Sequence, residues 1–187
     1  MPQVDFDYEG LGLAEWHDVV NAFAVSEPCR PFTIRGMNSD QIMARVAHEL
    51  GVTAASRYLP DFEGRTFRAS NGLVKKLSQY ANHAAYAGWI EAAIREPLEV
   101  WEHADPKTPD LRPRRHYFAA YLGPSGATTH LVVAAFENVL INGFSVENAA
   151  TANHKRFGKL LHIGYNPIYP PLPIAKGAPF PVAPLPV

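Results

Sequence analysis

Past Pro97 the apolar residues of this chain stop recurring every three or four positions and begin to alternate. That change of period constrains the fold more than any other feature, because a period of two belongs to a half-buried strand. "LEVWEH" predicts a first strand. "HYFAAYL" and "HLVVAAF" are separated by the turn-forming "GPSGAT", and "VLINGFSVE" follows after a brief "EN" turn. Together these segments predict an antiparallel meander of roughly four strands. Set into it, between Arg114 and Ala150, are His116, His130 and Ser145, which a plain scaffold does not need.

Upstream the signals are helical. "LAEWHDVVNAF" places Leu13, Trp16, Val20 and Phe23 at helical spacing. In "SDQIMARVAHELG", Ser39 is the expected N-cap and Gly51 the C-terminal stop, with Ile42, Val46 and Leu50 on one face. "EPCRPFTIRGMN" between them reads as a loop. Asn71 and Gly72 introduce "LVKKLSQYANHAAYAGWIEAAIRE", whose Leu73, Leu77, Tyr80, Ala84, Ala87 and Ile94 predict one long helix ended by Pro97. Helices segregated from strands argue for an α+β fold, with N-terminal helices packed on the sheet. The expected organisation is a mainly helical region over 1–70, an α+β unit over 71–165 and a proline-rich extended tail over 166–187. That tail holds eight of the 17 prolines, which remove backbone donors and fix φ. Its interleaved apolar residues suit contact with its own domain or with a protein partner.

The formal net charge is −1, so any nucleic-acid role must rest on a local basic patch. One cysteine, Cys29, leaves no intramolecular disulfide framework and no cysteine-based zinc cluster. The eight histidines show no His-x-x-x-His or His-Glu-x-x-His spacing, so no metal site and no cofactor are expected. "GPSGAT" lacks the lysine and following helix of a phosphate loop, and no Gly-x-Ser-x-Gly elbow occurs. The acidic N-terminus carries no basic-then-apolar signal pattern, and no window approaches the ~20 apolar residues of a membrane span. A soluble, cytoplasmic product without membrane partners is the expectation.

The residues left over are histidine, arginine, lysine and hydroxyl groups without a carboxylate at their centre. Metal-free cleavage of RNA asks for that set: a base for the 2′-hydroxyl, an acid for the leaving oxygen and cations for the charge on phosphorus. The candidates for catalysis are His83 on the long helix, Arg115 and His116 on the first meander strand, and Ser145 on the third. Arg114, Asn148, Lys155 and Arg156 are the candidates for substrate binding. His130 is the weakest, since it only opens an apolar strand.

"NHAAYAGWIEAAIREPLEVWE", "RRHYFAAYL", "THLVVAAF", "INGFSVENAA" and the basic "KRFGKLLHIGY" resemble, in that order, the phage-associated nucleases of the barnase, EndoU, colicin and RelE-like superfamily. The resemblance covers roughly 71–165. It implies His83 as an acid/base group, Arg115 as a phosphate-stabilising cation and Ser145 as a hydroxyl on the catalytic face, where the family usually has threonine. It also implies a ribonuclease, a toxin or phage-associated effector delivered into a target cell, with RNA as substrate and a cognate inhibitor as partner. A non-catalytic interaction module that binds through its helices and proline-rich tail is the alternative. An ADP-ribosyltransferase-like domain is the third reading; "FSVEN" offers Ser145 and Glu147 for it but no Glu-x-Glu pair.

Overall fold

The computed structural model describes residues 6–52, 56–104, 112–146 and 148–165. The elements in chain order are strand β1 (Phe6–Asp7), helix α1 (Trp16–Phe23), strand β2 (Val25–Ser26) and helix α2 (Ser39–Leu50). Strands β3 (Arg57–Pro60) and β4 (Thr66–Ala69) lead to helices α3 (Asn71–Leu77) and α4 (Ala81–Ala84), a 3-10 turn over Ala87–Trp89, and helix α5 (Ile90–Arg95). Then come β5 (Glu99–Ala104), β6 (Pro113–Leu122), β7 (Thr128–Phe136), β8 (Val139–Val146), helix α6 (Ala149–Asn153) and β9 (Phe157–Ile163).

Among the described residues nine strands form one sheet in the order β1-β9-β5-β6-β7-β8-β4-β3, with β2 pairing β6 off that path. The meander β5 to β8 is antiparallel, whereas β4 joins β8 and β2 joins β6 in parallel. The expectation of an α+β chain with roughly four strands is therefore corrected to a mixed α/β fold. Of the five added strands, β1 to β4 have two to four residues each, too few for alternation to stand out from the sequence around them. The proline-rich tail over 166–187 and Glu147 lie outside the described residues.

The single long helix is also corrected: the stretch breaks into α3, α4, a 3-10 turn and α5. Ser78 Oγ donates to the Val74 carbonyl at 2.7 Å, a local bond that competes with helix propagation. Tyr80 then takes an extended conformation (φ −133°, ψ 131°). Gly88 lets α2 come close, because a Cβ there would sit 2.7 Å from Glu49 Oε2. The breaks let successive apolar groups meet different strands: α3 and α4 lie against β8, and α5 against β3, β6 and β7. Helix α2 is capped by Asn38, not by Ser39. Asn38 Oδ1 accepts from Gln41 N while Gln41 Oε1 accepts from Asn38 N, each at 2.9 Å. Gly51 closes the helix in the left-handed region at φ 65°.

Residues paired across neighbouring antiparallel strands point to the same side, so the registers sort the sheet into two faces. One carries Val100, Tyr117, Ala119, Tyr121, Leu131, Val133 and Ala135, packed with the buried residues of α2, α3 and α5. The other carries Trp101, Phe118, Ala120, Val132 and Val146, packed with Trp16, Val19 and Val20 of α1 and Ala152 of α6. We call them the α5 face and the α6 face.

A buried ion pair ties the α6 face together. Arg156 and Glu99 have fully buried side chains, and the guanidinium grips the carboxylate twice, at 2.7 Å and 2.6 Å. Trp101 Nε1 (2.7 Å) and Tyr165 Oη also donate to Glu99. The remaining Arg156 nitrogen donates to the Ala14 carbonyl and to Asn153 Oδ1, both at 2.9 Å. Removing one partner of a buried pair strands the other charge and costs about 3–5 kcal/mol. Arg156→Ala is therefore expected to lower the urea unfolding free energy by about 3–5 kcal/mol. A loss below ~1 kcal/mol, the range of exposed pairs, would contradict the structural role given to Arg156.

Candidate nucleic-acid interface

The strand registers decide where each candidate group points. In β5 and β6, Trp101 pairs with His116 and His103 with Arg114, while Glu102 pairs with Arg115 between them. His116 and Arg114 therefore belong to the α6 face, and Arg115 to the α5 face. The two arginines read together in the sequence are on opposite sides of the sheet.

On the α5 face Arg115 is matched by acids. Its Nε donates to Glu102 Oε2 at 2.8 Å, and its Nη1 lies 3.8 Å from Glu63 Oε2. It lines a cleft of about 240 Å³ with Arg65, Thr66, Phe67, Glu102, Pro113, Glu137 and Asn138. A guanidinium already held by two carboxylates offers little to a phosphate. Ser145 is on this face too, opposite Leu131, whereas Arg115 is opposite Ala135. Four residues along β7 separate the two by roughly 13 Å. Gly143, two residues before Ser145, admits helix α5 and not a substrate, since a Cβ there would sit 2.7 Å from Ile90 Cδ1.

His83 lies on α4 at the edge of β8, its ring 5.6 Å from Phe144 and 4.9 Å from Tyr80, centroid to centroid. Its Nδ1 is buried without a hydrogen-bond partner. Burial, helped by the Lys76 charge, lowers its pKa. His83, Arg115 and Ser145 therefore do not converge on one cleft. Asn148 caps α6, its Oδ1 accepting from Thr151 N at 2.9 Å. His130 Nδ1 accepts from Trp16 Nε1 at 3.1 Å and so anchors α1. Arg156 is engaged in the buried pair with Glu99.

What the structure does bring together, at the end of the α6 face, is His103, Arg114, His116 and Lys155. The rings of His103 and His116 are 4.7 Å apart, and both residues are buried. His116 Nδ1 is buried without a hydrogen-bond partner, as is Oδ1 of Asn142, which lies in the same cross-strand row through Ala134. Burial pushes the His116 pKa down to about 3. The charges of His103, Lys155 and Arg114 push the same way, against a weaker hydrogen bond with the Lys155 backbone. Aromatic rings flank the group: Phe157, exposed, stands 4.5 Å from His103, and Lys155 Nζ lies 5.4 Å from the Phe144 centroid. The arrangement offers positive charge, neutral imidazole and ring faces at one place. Among the described residues no group of three or more His, Cys, Asp or Glu could hold a metal. Also among them, no helix is long and apolar enough to cross a membrane.

His103 was not singled out by sequence reasoning, although alternation in "WEH" and "RRH" puts Trp101 and His103 on one side and Arg114 and His116 on one side. What alternation does not supply is the register that makes these the same side. The pairing of β5 with β6 shows it.

The depressed pKa has a consequence for stability. The unfolded chain takes up a proton on His116 near pH 6.5, and the folded chain only near 3, so the unfolded state binds more protons between those values. The stabilisation is complete above about pH 6.5 and is lost as pH falls through that window. His116→Phe is expected to remove up to ~1.4 kcal/mol per pH unit from the slope of unfolding free energy between pH 6 and pH 4, by about one proton's worth. Urea titrations at both pH values check this; an unchanged slope would show that His116 does not titrate as described.

No family model, no curated protein and no solved structure matches this chain.

Proposed function

We propose that the chain binds single-stranded RNA at the His103, Arg114, His116 and Lys155 end of the α6 face. The observation that carries this reading is geometric: the Lys155 ammonium, 5.4 Å from the Phe144 centroid, and the exposed Phe157 ring, 4.5 Å from His103, flank the pair of His103 and His116. The half-buried Lys155 supplies a cation for a phosphate, and the exposed Phe157 on the other side of the pair provides a stacking surface for a planar base. Phosphate and base together describe a nucleic-acid strand, and single-stranded RNA is recognised through unstacked bases on aromatic rings. The chain's net charge of −1 keeps the attraction local.

The adjoining imidazoles favour a second reading, in which the bound RNA is cut without a metal. Attack of the 2′-hydroxyl on phosphorus needs a proton acceptor on one side and a donor on the other. His116, held neutral to about pH 3, is a weak base at neutral pH and suits orientation of the phosphate or the 2′-hydroxyl. His103 is then the group left for proton transfer, in place of His83.

The test is binding of a labelled single-stranded RNA in the presence of chelator. Lys155→Ala is expected to weaken binding about tenfold, and log affinity is expected to fall with log salt by about 0.7 for each phosphate contacted. Affinity that is untouched by Lys155→Ala and independent of salt would remove the proposed interface. Under the second reading, the same incubation yields cleaved RNA that His103→Ala abolishes and His83→Ala retains. Binding without cleavage leaves the first reading standing and removes the second.

A further inference from the structure

Resting on the RNA-binding reading just given, we infer that the bound strand runs beyond the His116 cluster along a row of rings, with the Lys155 cation set among them, that ends at Tyr80 on the far edge of β8. The contacts are continuous. Phe157 stands 4.5 Å from His103, and His103 4.7 Å from His116. The Lys155 backbone hydrogen bonds His116, and the Lys155 ammonium lies 5.4 Å from the Phe144 centroid. Phe144 is 5.6 Å from His83, and His83 4.9 Å from Tyr80.

Both ends of the track are open. Tyr80 is 55% exposed and Phe157 36% exposed, and the protein core makes no use of that ring surface. Between them His83, Phe144 and Lys155 are half-buried, and His103 and His116 are buried beneath the row. β8 makes the passage from one side of the sheet to the other possible. Its partner β4 pairs it only at Val139, so the edge near Phe144 is left to α4. Exposed rings alone would suit a protein partner equally well. The occupant is argued from two cations set among the Phe157, Phe144 and Tyr80 rings, Lys155 beside Phe144 and Lys76 whose charge acts on His83, which suit the phosphates and bases of one strand. A duplex keeps its bases stacked inside and cannot use Tyr80, Phe144 or Phe157 in this way.

The experiment uses the full chain and a labelled oligouridine octanucleotide, read by fluorescence anisotropy, alone and annealed to its complement. The single strand is expected to bind more tightly than the duplex. Tyr80→Ala is expected to weaken single-strand binding about tenfold, in the range of one lost stacking contact. Tyr80→Trp keeps a stacking ring and is expected to retain it. Because Tyr80 is largely exposed, both variants are expected to keep the wild-type circular dichroism and unfolding midpoint. Loss on Lys155→Ala with no loss on Tyr80→Ala overturns the extended track and leaves the proposed interface intact. Equal affinity for the duplex overturns stacking as the mode of recognition. No binding by the unmutated chain overturns both the track and the reading on which it rests.

Discussion

The fold depends on the buried pair of Arg156 and Glu99. Desolvating two charges is costly, and it is tolerated only when attraction and hydrogen bonds replace the lost water. Here Glu99 accepts from Arg156 twice, from Trp101 and from Tyr165, and Arg156 also reaches Ala14 and Asn153. The network joins β5, α6, the turn before β9, the segment leading into α1 and Tyr165, two residues past β9. Its outer shell is aromatic, with the guanidinium 4.6 Å from the Tyr8 centroid and 5.6 Å from that of Trp16.

That arrangement fixes the candidate interface. Lys155 precedes Arg156, so holding the guanidinium inside the core holds the Lys155 backbone against His116 and aims its side chain at Phe144. Phe157 follows Arg156 and is turned outward beside His103. In "KRF" the middle residue is an anchor, and its two neighbours present a cation and a ring. Read as one basic run, the segment hides this division of labour.

The positions that failed to converge do so for a geometric reason. A strand turns successive side chains to opposite faces, so Arg115 and His116 separate however close they are in sequence. Ser145 shares a face with Arg115 but not a row, and α5 already occupies the space over Gly143. The carboxylates of Glu102 and Glu63, absent from the sequence-level constellation, neutralise Arg115 through pairing between β5 and β6 and approach of the β3–β4 turn.

The period-two stretches after Pro97, the stop at Gly51 and the break before β5 are local properties, set by side-chain alternation, left-handed backbone and proline geometry, and the sequence by itself determined them. It also determined that Arg114 and His116 share a side. Tertiary structure alone decided that His103 joins them, that Arg156 is core and not surface, and that α2 packs closely over Gly88. It also drew four very short strands into the sheet. Each of those outcomes turns on a partner distant in the chain: Glu99 for Arg156, the β5–β6 register for His103, Glu49 for Gly88 and Val139 for Arg68. Local pattern carries no information about such partners, because it records the side a residue faces and not what waits there.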